Sequence, residues 1–136
     1  MAKILIIEDQ EPLCSLYRTV LRKFDHDAVF ATNGESGIAA AQADRPDLIV
    51  LDLLLPDMHG TDVAQKLREM SILPGVPLVI TTALDEVDAQ TIADSLDAAA
   101  VLNKPFSVTS IVDCLTSVLE DSGPKALPSG SKQIPA

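Results

Sequence analysis

The segment that most restricts the possible folds is DLIVLDLLLPDMHG, residues 47–60. Residues 48–51 form an apolar run without a polar face, which is typical of a strand buried in the middle of a parallel sheet. The run ends in a charged residue, Asp52, and Pro56 and Gly60 then indicate a turn before a helical pattern. Asp52 is therefore predicted at the carboxyl end of a central strand, where open α/β sheets bind ligands. A turn or helix-capping aspartate is the alternative.

The rest of the chain alternates between short apolar runs and segments of helical periodicity. The runs predict strands at residues 3–7, 28–31, 47–51, 77–82 and 99–102, and the periodic segments predict helices at 13–24, 38–43, 61–70, 84–96 and 108–119. One side of the fourth helix is predicted to consist of Leu84, Val87, Ile92 and Leu96. Every crossover is long enough for a right-handed parallel connection. We therefore predict a doubly wound, flavodoxin-like α/β fold, with a five-stranded parallel sheet of order 2-1-3-4-5 and five helices.

Length and charge limit the domain count and the partners. The 136 residues carry a formal net charge of −10, which argues against direct binding to nucleic acid or to an anionic membrane. No apolar run is long enough for a signal sequence or a bilayer span, and Cys14 and Cys114 form no CxxC pair, so we expect a cytoplasmic protein with reduced thiols. Residues 1–121 are predicted to be one domain, and residues 122–136 a disordered tail or linker stub that leads to no second domain.

Polar or charged residues end four of the predicted strands. In the proposed order these strands are neighbours, so their carboxyl ends should meet in one crevice. The residues concerned are Glu8 and Asp9 after the first strand, Asp52 after the third, Thr81 or Thr82 at the end of the fourth, and Lys104 after the fifth. Separate surface carboxylates and a solvated lysine are the alternative.

Three carboxylates in one crevice repel one another unless a cation is present. Two unit charges about 4 Å apart interact by about 4 kcal/mol at an effective dielectric constant of about 20. One lysine supplies a single positive charge, whereas Mg²⁺ would supply two, and Mg²⁺ prefers hard oxygen ligands from a few carboxylates, waters and a phosphate. An aspartate can also attack phosphorus to give an acyl phosphate, a step that needs neutralised phosphoryl oxygens.

With these residues in place, the chain resembles the receiver domains of bacterial response regulators, and in particular single-domain proteins similar to CheY. The resemblance covers residues 2–121 and rests on the motifs Glu8-Asp9, DLLLPDMHG at 52–60, Thr82-Ala83 and Lys104-Pro105-Phe106. The strand order 2-1-3-4-5 is also that of CheY, so the order and the resemblance are not independent predictions.

The resemblance implies that Asp52 accepts a phosphoryl group from a histidine kinase or a histidine phosphotransfer protein, with Mg²⁺ or Mn²⁺ as cofactor. It implies that the metal is held by Glu8, Asp9, Asp52 and the backbone carbonyl of Leu54, and that the phosphoryl group contacts Thr82, the backbone N–H of Ala83, and Lys104. A cis bond between Lys104 and Pro105 is also implied. The protein would be a switch that catalyses only its own phosphorylation and dephosphorylation, rather than an enzyme. It would act on a protein partner through the fourth helix, fifth strand and fifth helix, as a monomer or a phosphorylation-dependent dimer.

Three features of the sequence depart from the pattern of the family. Val101 stands where receivers often carry Tyr or Phe, which puts the usual coupled rotation of that aromatic ring in question. The sequence DAAA at 97–100 makes the surface beside the fifth strand apolar, either for a partner or as simple alanine filler. Leu54 and Leu84 occupy positions where phosphate lifetime is tuned in the family, and both could shield an acyl phosphate from water.

Other functions are compatible with parts of the pattern. A pseudo-receiver, folded alike but never phosphorylated, is the main alternative, because Val101 breaks the usual switch. A phosphatase of the haloacid dehalogenase kind would need an aspartate as general acid at position 54, which is leucine. An FMN carrier would need a Ser/Thr/Gly-rich loop where this chain has acidic residues 8–11. His26 and His59 are expected to be solvated loop residues.

Overall fold

Strands and helices alternate along the chain, as the apolar pattern predicts. The structure, a computed structural model, describes residues 2–73 and 75–121, and the predicted tail at 122–136 lies outside the described residues. The elements are β1 (Lys3–Ile7), α1 (Glu11–Lys23), β2 (Asp27–Ala31), α2 (Gly34–Ala43), β3 (Leu48–Asp52), α3 (Gly60–Glu69), β4 (Leu78–Thr82), α4 (Glu86–Ser95), β5 (Ala100–Asn103) and α5 (Val108–Asp121). None of the described helices is both long and apolar enough to cross a membrane.

The strands form one parallel sheet. Their order is β2-β1-β3-β4-β5, so the predicted fold class and strand order are confirmed. Every residue of β3 and β4 is buried, which explains why these strands have no polar face until their last residues. In the register of this central pair, Leu51 lies opposite Ile80 and Asp52 lies opposite Thr81.

Two apolar layers cover the two faces of the sheet. On one face, side chains of α2, α3 and α4 pack on Ile49 and Leu51 of β3. On the other face, side chains of α1 and α5 pack on Leu48 and Val50 of the same strand. This division follows from the strand period of two, which sends successive side chains to opposite faces.

The start of α4 differs from the prediction, because Asp85 caps the helix. The Asp85 carboxylate accepts a hydrogen bond from the Asp88 N–H at 2.9 Å, so the helix begins at Glu86 rather than at Leu84. Leu84 and Val87 are exposed, Val87 by 76%, so the prediction of one apolar side was wrong for these two residues, whereas Ile92 and Leu96 do pack against the core. The buried face of α4 consists of two small residues, Ala89 and Ala93.

Candidate functional site

The predicted polar residues do meet at the carboxyl edge of the sheet. Asp52 is the last residue of β3 rather than the residue after it, and Lys104 follows β5. The Lys104 Nζ atom lies 3.0 Å from Asp52 Oδ2 and 3.2 Å from Glu8 Oε1. One ammonium group thus bridges two carboxylates that come from different strands, and the alternative of separate surface charges is excluded.

The three acidic residues form a compact group of oxygen ligands. One carboxylate oxygen from each of Glu8, Asp9 and Asp52 lies within 4.8 Å of the other two. Glu8 is 1% exposed and Asp52 4% exposed, whereas Asp9 is open to solvent.

Burial of the Glu8 carboxyl, and then the charge of Asp52, raise the pKa of Glu8 to about 7. Among the described residues, no group donates a well-directed hydrogen bond to Glu8 Oε1. A buried oxygen of this kind, within a set of hard donors, fits a divalent cation.

Lys104 remains charged in spite of its partial burial. Burial alone would lower the pKa of Lys104, but the hydrogen bond and charge of Asp52 and the charge of Glu8 outweigh that effect and raise it. A lysine held in this way supplies a fixed positive charge beside Asp52, at the position where negative charge would build up on a phosphoryl group.

A pocket of about 720 Å³ opens above this group. Its polar lining includes Asp9, Asp52, Thr82 and Lys104. Thr82 therefore faces the pocket, as the resemblance implied, and Thr81 is not among the lining residues. The Thr82 hydroxyl accepts a hydrogen bond from the Leu84 N–H at 3.1 Å, which holds the β4–α4 loop over the pocket.

The rest of the pocket lining is largely apolar. It is formed by Leu53, Leu54, Leu55, Pro56, Ala83, Leu84 and Ile92 together with His59 and Thr61. Leu54 and Leu84 lie at the rim, since they are 71% and 43% exposed. Val101 is half-buried, packs against the apolar layer that includes Ala93 of α4, and is not among the residues that line this pocket.

Backbone hydrogen bonds and one glycine fix the position of Asp52. The Leu54 N–H donates to Asp52 Oδ1 at 3.1 Å, which orients the carboxylate. At Gly60 a Cβ atom would lie 2.6 Å from the Asp52 carbonyl oxygen, so only glycine permits the chain to return this close to β3. The Lys104 N–H donates to the Thr82 carbonyl at 2.7 Å, and the peptide bond between Lys104 and Pro105 is cis, as expected.

Sequence analysis missed the role of Asp57. The Asp57 carboxylate accepts hydrogen bonds from the N–H groups of Gly34 at 2.7 Å and Glu35 at 3.0 Å, at the first turn of α2. These bonds lower the pKa of Asp57, and they tie the loop after Asp52 to a neighbouring helix. The motif that contains Asp57 was noticed, but a capping contact between residues so distant in sequence leaves no local signal.

The two histidines differ in their exposure to solvent, and the two cysteines are unpaired. His26 is partly buried and its Nδ1 accepts a hydrogen bond from the Ala2 N–H at 3.0 Å, so the expectation of a solvated residue was wrong for His26. His59 is exposed, as expected. Cys14 is buried and Cys114 partly buried, and both are free thiols.

The fold and this site define a class of CheY-like α/β proteins with an acidic pocket at the carboxyl edge of the sheet. Residues 4–116 match the family described as response regulator receiver domain. The chain belongs to this family, which serves two-component signalling systems.

Individual relatives agree with this membership. The chain is 34% identical over 131 residues to the protein named "Probable transcriptional regulatory protein TcrX" of Mycobacterium tuberculosis, an alignment that covers 96% of this chain and 55% of TcrX. It is 32% identical over 120 residues to the alkaline phosphatase synthesis transcriptional regulatory protein PhoP of Bacillus subtilis, covering 88% of this chain and 49% of PhoP. The chain thus spans about half the length of these curated relatives. The structure is similar to that of the chemotaxis protein CheY4 of Vibrio cholerae, with a TM-score of 0.81 at 25% identity, covering 88% of this chain and 99% of CheY4.

Proposed function

We propose that Asp52 accepts a phosphoryl group from a phosphohistidine of a histidine kinase or a histidine phosphotransfer protein. The observation that carries this proposal is the placement of Asp52, whose carboxylate is 3.0 Å from Lys104 Nζ and belongs to the group of metal-type ligands with Glu8 and Asp9. A carboxylate oxygen of Asp52 attacks phosphorus and forms the acyl phosphate bond. The P–N bond of the donor breaks, and its electron pair remains on the imidazole.

The residues around Asp52 stabilise the phosphoryl group. Lys104 and the Thr82 hydroxyl line the same pocket as Asp52, and with the Ala83 N–H they contact the phosphoryl oxygens. Glu8, Asp9, Asp52 and the backbone carbonyl of Leu54 would hold Mg²⁺ or Mn²⁺. The ion, when bound, neutralises charge on the oxygens of the transferring group.

The same site argues for a phosphoacceptor rather than an enzyme with turnover. A phosphatase of this geometry would need a general acid two residues after the nucleophile, and Leu54 has no proton to give. A pseudo-receiver would have no need of the paired Lys104, Asp52 and Glu8, which are costly to bury together. We therefore infer a switch in which acylation of Asp52 shifts the population between two conformations.

The proposed output surface is the face of α4, β5 and α5. This surface is acidic, because residues 69–121 contain a single Lys or Arg, which is Lys104. The charge of Lys104 is already paired with the carboxylates of Asp52 and Glu8. Exposed carboxylates between residues 69 and 120 are Glu69, Asp85, Glu86, Asp88, Asp94, Asp97, Asp113 and Glu120. A basic protein partner fits such a surface, whereas a symmetric dimer through it would bring like charges together.

Phosphorylation with acetyl phosphate tests the central assignment. Wild type incubated with acetyl phosphate and Mg²⁺ should gain one phosphoryl group by intact mass, and Asp52→Asn or addition of EDTA should abolish the gain. Asp57→Asn is the matched control, because Asp57 is in the same loop but caps α2 instead of lining the pocket, so it should still be phosphorylated. A phosphoryl group on Asp52→Asn would refute the assignment, and no gain in wild type would favour a pseudo-receiver.

A further inference from the structure

Three buried side-chain oxygens have no hydrogen-bond partner in the described part of the chain. They are Glu8 Oε1, Tyr17 Oη and Thr81 Oγ1. The residues that carry them are at most 1% exposed. The Lys104 ammonium neutralises part of the charge of Glu8, but none of the described residues makes a hydrogen bond to either hydroxyl. A buried polar group without a partner destabilises the fold, so three of them in one domain need an explanation.

All three oxygens belong to the same face of the sheet. Along β1 the side chains of Ile4 and Ile6 face the layer of α1 and α5, and Glu8 continues that alternation. Along β4 the side chain of Val79 faces the same layer, so Thr81 does too. Thr82, the next residue, faces the opposite layer and lines the pocket, and Thr81 is not among the lining residues.

Tyr17 reaches this place from the helix that packs there. α1 begins at the carboxyl edge of the sheet, directly after Glu8 and Asp9, and helical side chains point back toward the start of their helix. The Tyr17 ring packs on Phe106, which lies two residues after Lys104, with ring centroids 6.0 Å apart. Burial, and then the nearby charges of Glu8 and Asp52, raise the pKa of Tyr17, in agreement with a hydroxyl directed toward these carboxylates.

The number of unpaired oxygens matches the number of hydrogen bonds that one internal water can make. Buried waters typically make about three hydrogen bonds to polar groups that the protein leaves unpaired. The donors and acceptors also match, because the hydroxyls of Tyr17 and Thr81 can donate to the water and the water can donate to the Glu8 carboxylate.

We propose that one buried water binds Glu8 Oε1, Tyr17 Oη and Thr81 Oγ1, and that Tyr17 and Thr81 are positioning residues that hold the Glu8 carboxylate from below. The bound water goes beyond the proposed function, whereas the positioning role rests on the proposed metal binding by Glu8. The water is a feature of the free protein, whether or not Asp52 is phosphorylated.

The sign of a stability change tests the bound water. If the hydroxyls were simply unsatisfied, Tyr17→Phe and Thr81→Val would remove a buried polar group and raise the Tm. If they bind the water, each substitution should lower the Tm of the metal-free protein by about 3–6 °C, and the double variant should lose less than the sum. As a control, Tyr17→Phe should be additive with Thr91→Val, since Thr91 is exposed on α4 and bonds only its own helix. A rise in Tm for either single variant, or full additivity between Tyr17→Phe and Thr81→Val, would overturn the proposal.

The affinity for Mg²⁺ alone tests the positioning role. Titration of folded protein with Mg²⁺, followed by NMR, should give a Kd about tenfold weaker for Tyr17→Phe than for wild type, and an unchanged Kd for Thr91→Val. A lower Tm with an unchanged Kd would overturn the positioning role and leave a structural water. If wild type itself bound no Mg²⁺, the proposed function and the positioning role would fail together, while the Tm measurements would still decide whether the water is present.

Discussion

The middle of the sheet and its carboxyl edge are formed by the same strands but bury opposite kinds of side chain. In the middle, residues such as Ile6, Ile49 and Ile80 are fully buried and apolar on both faces. One to three residues further along, the carboxyl ends of these strands bury Glu8, which follows β1, together with Asp52 and two threonines. The transition is abrupt, since Leu51 and Asp52 are adjacent in β3.

The difference shows how the chain separates stability from chemistry. Burying apolar surface stabilises the fold by about 25 cal/mol per Å², whereas burying like charges opposes it. The edge therefore depends on the middle for its stability, and it keeps a destabilising arrangement of carboxylates that a cation can relieve. Substitutions in the two regions should then change stability in opposite directions.

The largest effect is expected in the middle of the sheet. Ile80→Ala should lower the free energy of unfolding by about 3 kcal/mol, because it leaves a cavity in a strand that cannot collapse around it. Urea denaturation measures the change. Val29→Ala on the edge strand β2 is the control and should cost less than about 1 kcal/mol, because Val29 is 41% exposed. Equal losses at the two positions would contradict the contrast between the interior and the exposed parts of the sheet.

A smaller effect of opposite sign is expected at the carboxyl edge. The pKa of Glu8 is about 7 in the folded protein and 4.5 in the unfolded chain, so the folded state disfavours the charged form. The stability contributed by Glu8 is complete below pH 4.5 and is lost as the pH rises through 7. Glu8→Gln should therefore raise the free energy of unfolding at pH 8, without metal, by about 2 kcal/mol.

The same comparison at other conditions gives the controls for Glu8→Gln. Below pH 4.5 the two proteins should unfold with nearly equal free energies, because Glu8 is protonated in both states of wild type. Mg²⁺ should narrow the gap at pH 8, because it stabilises wild type more than a variant with one carboxylate fewer. A Glu8→Gln protein that is less stable than wild type at pH 8 would show that the ion pair with Lys104 outweighs the repulsion.

The contrast between the two regions also explains what could be predicted from the sequence. The positions of the strands follow from their apolar runs, and the meeting of Glu8, Asp52 and Lys104 follows from the parallel topology, so the fold and the central charges were predictable. The cap at Asp85, which shortens α4 and exposes Leu84, depends on one local hydrogen bond that competes with apolar periodicity.

Contacts between distant segments left weaker traces in the sequence. Tyr17 lies in the periodic segment 13–24 that predicts the first helix, and its ring is buried, but the surroundings of its hydroxyl depend on three-dimensional placement. The choice between Thr81 and Thr82 was open from the residues alone, because both end the same strand. In the structure the two side chains face opposite layers of the sheet, and Thr82 is the one that lines the pocket.

The smallest effect is expected at the rim, where apolar residues border the charged edge. Leu54 and Leu84 line the pocket and leave water a narrower approach to an acyl phosphate on Asp52. Leu54→Asn should speed loss of the phosphoryl group about threefold, a change of less than about 1 kcal/mol in activation free energy, because Leu54 is 71% exposed and shields only one side. Intact mass followed over time after removal of acetyl phosphate measures the rate.

Val87→Asn is the matched control, since Val87 is similarly exposed but is not among the residues that line the pocket. The Val87→Asn protein should lose its phosphoryl group at the same rate as wild type. If the acyl phosphates of Leu54→Asn and Val87→Asn are hydrolysed at the same rate, the apolar rim does not protect the phosphoryl group. The boundary between the apolar middle of the sheet and its charged edge then lies at Asp52 itself.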